Sequence, residues 1–227
     1  MLYLLAAAGR SGPLYPGGGS ICTFTVSSLG VLSYNAPSPE NTMLALLPLL
    51  LIPNAHADRY AFDDSASSIT FNMVATLHEI EGLVGNFSGE IHTDTGKADP
   101  AKLTIQVSSM TTQLGIRDSR MHEYVLAADS FPTVEFKVHT IGGKDLEIFN
   151  SGEGKGTLLL KGEMKVRSAT REIAVPVFFH VSNGELVLKG EFGMEWPDYN
   201  LPDASIFIST LLPHIDVAFE VKARKTN

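Results

Sequence analysis

The decisive stretch is Ile173-Ala174-Val175-Pro176-Val177-Phe178-Phe179-His180-Val181-Ser182-Asn183-Gly184-Glu185-Leu186-Val187-Leu188-Lys189. Ile173, Val175, Val177, Phe179 and Val181 share one parity, which is the mark of a strand with one buried face. Asn183-Gly184 is a two-residue turn in which both positions tolerate φ > 0. It folds the strand ending near Val181 back onto one starting near Glu185. On that returning strand Leu186, Leu188 and Phe192 alternate with Glu185, Lys189 and Glu191. The stretch reads as an antiparallel hairpin with a single apolar face.

The same pattern recurs on both sides of the hairpin. Upstream lie Ile69, Phe71, Met73, Ala75 and Leu77, then Leu103, Ile105 and Val107, then Val134, Phe136 and Val138. Leu158, Leu160 and Met164 follow, and Ile215, Val217, Phe219 and Val221 come after the hairpin. Turn residues separate these runs at Asp94-Thr95-Gly96, Gly142-Gly143-Lys144-Asp145 and Ser151-Gly152-Glu153-Gly154. Parallel crossovers need a dozen or more residues between strands, and there is little room for them. One segment breaks the alternation. Between Asp118 and Asp129 the apolar residues Met121, Val125 and Leu126 predict one short helix, with Asp118 or Ser119 as its cap and Pro132 ending it. About eight one-sided strands make either a sandwich or a closed barrel. A barrel of that size holds side chains or one small apolar ligand. Gly89, Gly156, Gly162 and Gly190 inside strands fit a curved sheet or a close approach.

The 227 residues include 17 Lys and Arg against 25 Asp and Glu, a formal net charge of -8. An acidic balance argues against nucleic acid, which needs a basic face. The single cysteine, Cys22, excludes a disulfide framework and a cysteine-based zinc site. Residues 1–57 hold only Arg10 and Glu40, so the remaining 170 carry the whole charge. Residues 1–42 are rich in Gly, Ser and Pro and lack periodicity, as expected of a disordered tail or of sequence upstream of the true start. Met43 to Pro53 is an apolar run, too short for a bilayer span of about 20 residues. Ala55-His56-Ala57 presents small residues where a signal peptidase reads them. The expectation is a signal peptide over 43–57, translation from Met43, and cleavage between Ala57 and Asp58. A single exported domain would remain over 58–227, periplasmic or secreted. The alternative is a disordered tail followed by a buried apolar segment.

No catalytic motif stands out. Six histidines follow residue 57, and none has H-x-H or H-E-x-x-H spacing. Gly152-Glu153-Gly154-Lys155-Gly156-Thr157 fails the phosphate-loop pattern, because Gly follows the lysine. Gly85-Asn86-Phe87-Ser88-Gly89 has the wrong spacing for a nucleophile elbow. Ile116-Arg117-Asp118-Ser119-Arg120-Met121-His122 sets charges beside apolar residues. It reads equally as a capped surface helix or as the polar mouth of an apolar cavity.

That segment also carries a resemblance. Thr112, Ile116-Arg117-Asp118, Met121 and Phe131-Pro132-Thr133-Val134-Glu135-Phe136 resemble the signature of the YceI-like family. Its pattern is a Thr, then Arg-Asp, then an apolar position, then an aromatic-Pro and an aliphatic-x-Phe. Ser65 to Phe71, Leu77-His78 with Phe87-Ser88-Gly89, Gly156-Thr157-Leu158 to Gly162, and Phe192-Gly193 are similar to further elements in the same order. The likeness runs from about Asp58 to Lys222. The chain departs from it at Met121, at Lys137 and in the loop Trp196 to Pro202. The resemblance implies an all-β, eight-stranded antiparallel barrel of lipocalin-like form with one short helix. It also implies an exported, non-enzymatic protein without cofactor or metal, which binds a polyisoprenoid or similar long amphiphilic lipid. The inward-facing candidates for contact with such a lipid are Phe71, Met73, Phe136, Val138, Leu158, Leu160, Val177, Phe179 and Phe192; each could equally fill a core. Arg117 either meets a polar headgroup or pairs with Asp118 or another carboxylate. Two competing readings are a filled barrel acting as a structural or stress-linked interaction protein, and a lipid-modifying enzyme whose histidines converge. A shared mouth or an exposed strand would support a homodimer.

Overall fold

The computed structural model describes residues 58–96, 98–205 and 209–226. The expected tail, the expected signal peptide and Ala57 of the expected cleavage point lie outside these residues; Asp58 is the first of them. No described helix is long and apolar enough to cross a membrane.

Ten strands form one antiparallel sheet that closes on itself. They are β1 (Arg59–Ala75), β2 (His78–Val84), β3 (Phe87–His92), β4 (Ala101–Gln106), β5 (Met110–Thr111), β6 (Thr133–Gly142), β7 (Gly154–Val166), β8 (Ala169–Ser182), β9 (Glu185–Glu195) and β10 (Leu211–Thr226). β2 pairs with the second half of β1 and β3 with its first residues, so the two are one stave interrupted at Gly85-Asn86. β4 and β5 are likewise one stave, broken by the 3₁₀ turn Val107–Ser109. The ten strands therefore make an eight-stranded barrel. Its seam joins β1 to β10, from Arg59 opposite Thr226 to Ala75 opposite Leu211. Closure pairs the two ends of the sheet, while β8 and β9 part above Val177 and Gly190, so residues 169–176 of β8 have no ladder partner on β9. The barrel, rather than the sandwich that alternation alone left open, is the observed solution.

The founding hairpin forms as read. Ser182 pairs with Glu185, and Asn183 and Gly184 take φ of 53° and 77°, the mirror-image turn that matches strand twist. Alternation is reset at two bulges. In β1 the register slips between Asp63 and Ser68, so Tyr60 and Ile69 are both buried despite opposite parity. In β6 it slips between Val138 and Thr140, which turns Ile141 inward as well. The slip in β6 inserts one extra residue and that in β1 three, and an odd insertion exchanges the faces beyond it.

The two ends of the barrel are closed differently. At one end α2 (Leu146–Asn150) sets Phe149, fully buried, edge-on against Phe179 with ring centroids 5.3 Å apart. At the other end lies the expected helix, shifted from its predicted limits. α1 (Gly115–Arg120) starts three residues earlier than Asp118 and runs into a π-helical turn, Met121–Val125, where Leu126 N–H donates to Met121 O at 2.8 Å. Neither Asp118 nor Ser119 caps it. Leu114 is the N-cap and, being apolar, makes no side-chain cap bond; Asp118 lies inside the helix and bonds Thr111 and Thr112 instead. π turns are rare and recur at functional sites.

Candidate functional site

The inside of the barrel is only partly filled. Inward residues of β1, β6, β7, β9 and β10 surround an apolar chamber of about 640 Å³ at the α1 end. A second space of about 110 Å³ lies deeper. Both are bordered by Ile69, Ile105, Val134, Met164 and Val217, so these five form a waist between an upper and a lower chamber. Below the lower chamber Phe149, Phe179, Val181 and Leu186 are fully buried.

Glycines open this space. A Cβ on Gly82 would fall 2.0 Å from the ring of Phe71, its cross-strand partner, and one on Gly190 would fall 2.7 Å from Phe219, its partner on β10. Each ring lies over the bare glycine opposite and so rests flat on the wall instead of crossing the lumen. This pairing of aromatic and glycine is a known device of curved sheets.

Every methionine in the described residues, namely Met73, Met110, Met121, Met164 and Met194, borders the upper chamber. Methionine is flexible and polarisable and suits a space of variable occupancy. Among the described residues, the only charged or titratable ones bordering it are His78, Arg117 and Arg120, and no carboxylate does. These three sit at the mouth with Leu114 and Ile116, which are themselves exposed.

The mouth is built on a buried threonine. Asp118 accepts from Thr111 Oγ1 at 2.7 Å, from Thr112 N at 2.6 Å and from Thr112 Oγ1 at 2.5 Å. Arg117 donates through Nε to Thr112 Oγ1 at 2.7 Å and through Nη2 to Thr112 O at 2.6 Å. Thr112 thus stands between the arginine and the aspartate, and among the described residues Arg117 makes no direct ion pair with Asp118. Burial pushes the Asp118 carboxyl up, but hydrogen bonds from Thr112 and Thr111 outweigh it and hold the group below its ordinary value. Two further contacts strap the π turn across the end: His122 Nε2 lies 2.7 Å from Met110 O, and Arg167 Nη1 donates to Val125 O at 3.0 Å.

The ten sequence-derived candidates fall into three groups. Phe71, Met73 and Arg117 border the upper chamber. Phe136, Val138, Leu160 and Phe192 border the lower one. Leu158, Val177 and Phe179 border neither; they are buried in the packing beneath. The waist residues Ile69, Val134 and Val217 were read as strand residues but not as lining, although parity with Phe71, Phe136 and Phe219 marks them. Trp196, Leu201 and Pro202 border the mouth from a loop that carries no periodic signal.

The histidines are dispersed. His78 is at the mouth, His122 bonds backbone, and His214 lies between Glu195 and Asp216 on the outer wall. The one grouping with metal-ligand proximity among the described residues is His139, Glu163 and Glu172, all exposed on the outer wall and away from the chambers.

A family model described as "YceI-like domain" matches residues 60–223. No curated protein matches in sequence. Among solved structures, BcnA of Burkholderia cenocepacia superposes with a TM-score of 0.59 at 17% identity, over 71% of this chain and 98% of that one. A polyisoprenoid binding domain from Saccharophagus degradans, implicated in plant cell wall breakdown, gives 0.60 at 16% identity, over 74% and 98%. A YceI protein of Campylobacter jejuni gives 0.53 at 15% identity, over 65% and 86%. At these identities the likeness is one of fold.

Proposed function

The chain belongs to the YceI-like family, and from that premise we propose that it is an exported, non-enzymatic protein that holds a polyisoprenoid or other long amphiphile. The observation that carries this reading is the stacked pair of apolar chambers inside a closed barrel. A methylene fills about the volume of a water molecule, roughly 30 Å³, so the upper chamber takes roughly twenty carbon-sized groups and the lower one a few more. Such a volume lies inside the range of small-molecule sites, about 300–1,000 Å³. Removing a hydrocarbon tail from water gains about 25 cal/mol per Å². The absence of carboxylates from the lining among the described residues favours an uncharged tail, and Arg117, Arg120 and His78 at the mouth suit a polar or anionic headgroup. The structural neighbour that is itself a polyisoprenoid binding domain supports the same ligand class.

A filled-core interaction protein would not need the upper chamber, and a histidine-based enzyme would need histidines that meet. Organic extraction and mass spectrometry of the purified native protein test the reading directly. A stoichiometric long-tailed lipid is expected; no lipid, together with no uptake of a fluorescent alkyl probe, overturns it. Export rests on the Ala55-His56-Ala57 site, and intact-mass measurement of the native protein is expected to find a chain beginning at Asp58.

A further inference from the structure

The two chambers are lined by different kinds of side chain. All five described methionines border the upper one and only Met164, at the waist, also reaches the lower, which is ringed by four phenylalanines, Phe62, Phe136, Phe192 and Phe219. These rings face inward yet are only partly buried, because they front an open space. Phe219 is seated over Gly190 and Phe62 over Gly89, where an added Cβ would fall 2.7 and 2.8 Å from the respective rings. Phe136 and Phe192 have no glycine opposite; their cross-strand partners are Leu103 with Met164, and Val217. Beneath them Phe149 and Phe179 are fully buried in edge-to-face contact. Tight packing of that kind does not yield to a guest without cost, whereas methionines readily change rotamer.

Resting on the lipid-binding reading above, we propose that the lower chamber is a stop that sets tail length, with Phe136 and Phe192 as its specificity-determining residues. The tail passes the waist at Val134 and Met164, ends between those two rings, and is halted by the solid floor. The combined volume of the chambers takes roughly 25 carbon-sized groups, which corresponds to about five isoprene units. A longer tail leaves its surplus at the mouth.

The test is competition for the barrel by polyprenyl alcohols of three, four, five, eight and eleven isoprene units, read by displacement of a fluorescent alkyl probe and by native mass spectrometry. Affinity is expected to rise tenfold or more with each unit up to about five and to change less than twofold beyond. Phe136→Ala and Phe192→Ala are each expected to move the limit one unit longer. Leu103→Phe, which adds a ring to the same chamber, moves it one unit shorter and keeps the test alive if a truncation fails to fold. Affinity that climbs through eleven units, or a limit that stays put in all three variants, overturns the stop while leaving lipid binding intact. Failure of every polyprenol to bind overturns both.

Discussion

The closed half and the mouth half of this barrel share the same staves but solve opposite problems. In the closed half Tyr60, Phe149, Phe179, Val181 and Leu186 pack into one buried cluster, each at most 1% exposed. In the mouth half the same inward parity leads to methionines and, at Phe71, to a ring laid over a glycine, so the side chains line a void instead of meeting. Alternation decides which face of a strand points inward. Whether the inside is filled is decided across the lumen, by the size and stiffness of what stands opposite.

The largest test of this contrast is Phe149→Ala against Met73→Ala. Deleting a buried ring from close packing leaves a cavity and costs about 3–5 kcal/mol. Met73 already borders a space, so its truncation loses little more than the transfer term, about 1 kcal/mol. Chemical denaturation of the two variants is expected to separate them clearly. Equal losses would mean that the mouth half is as tightly packed in solution as the closed half.

Gly82→Ala attacks the contrast from the other side. The new methyl occupies the place of the Phe71 ring and drives that ring into the upper chamber. Overpacking of this kind costs about 2 kcal/mol, and uptake of an alkyl probe is expected to fall more sharply than stability. Unchanged uptake would show that Phe71 has another rotamer clear of the lumen.

How far the sequence revealed this molecule follows from the same contrast. Seven of the eight staves and the Asn183-Gly184 hairpin are marked by local patterns; the stave made of β2 and β3 carries no alternating run of its own. The seam between Arg59 and Thr226 joins residues at opposite ends of the domain, which no local pattern reveals; that is why a sandwich stayed open until closure was seen. Depth is equally invisible. Leu158, Val177 and Phe179 have the same inward parity as Leu160 and Phe136, yet they lie in the floor, because α2 and Phe149 plug that end. The bulges in β1 and β6 hide Tyr60 and Ile141 from any single parity count. Asp118 offered a plausible helix cap, but three donors from Thr111 and Thr112 claim its oxygens first.

Asp118→Asn probes how the mouth is held. The amide keeps one acceptor oxygen but loses the charge and at least one of the three bonds, an expected cost of about 1 kcal/mol. Because the folded carboxyl lies below its ordinary value, its contribution is present above the unfolded pKa of about 3.9 and is lost as pH falls through the folded value. Wild type and variant are therefore expected to differ at neutral pH and to converge in acid. A gap that persists in acid would show that the charge is not what holds Thr111 and Thr112.

The smallest effect concerns the outer wall at the mouth. His214 Nδ1 lies 2.7 Å from Glu195 Oε1 and Nε2 lies 3.1 Å from Asp216 Oδ1, and it faces Glu195 at the last paired position of β9 and β10. Hydrogen bonds to Glu195 and then Asp216 raise its pKa above the ordinary 6.5. A raised folded pKa stabilises below the unfolded value and loses that contribution as pH rises through the folded one. His214 is exposed, so the change in global stability is slight, and the sensitive readout is local. Hydrogen exchange is expected to quicken at the Glu195–His214 end as pH climbs past that value, after correction for intrinsic exchange, while amides around Phe179 stay protected. NMR titration should place His214 above 6.5 in wild type and closer to it in Glu195→Gln. If amides at both ends respond alike, the two halves unfold as one unit and the mouth has no independent looseness with which to admit a ligand.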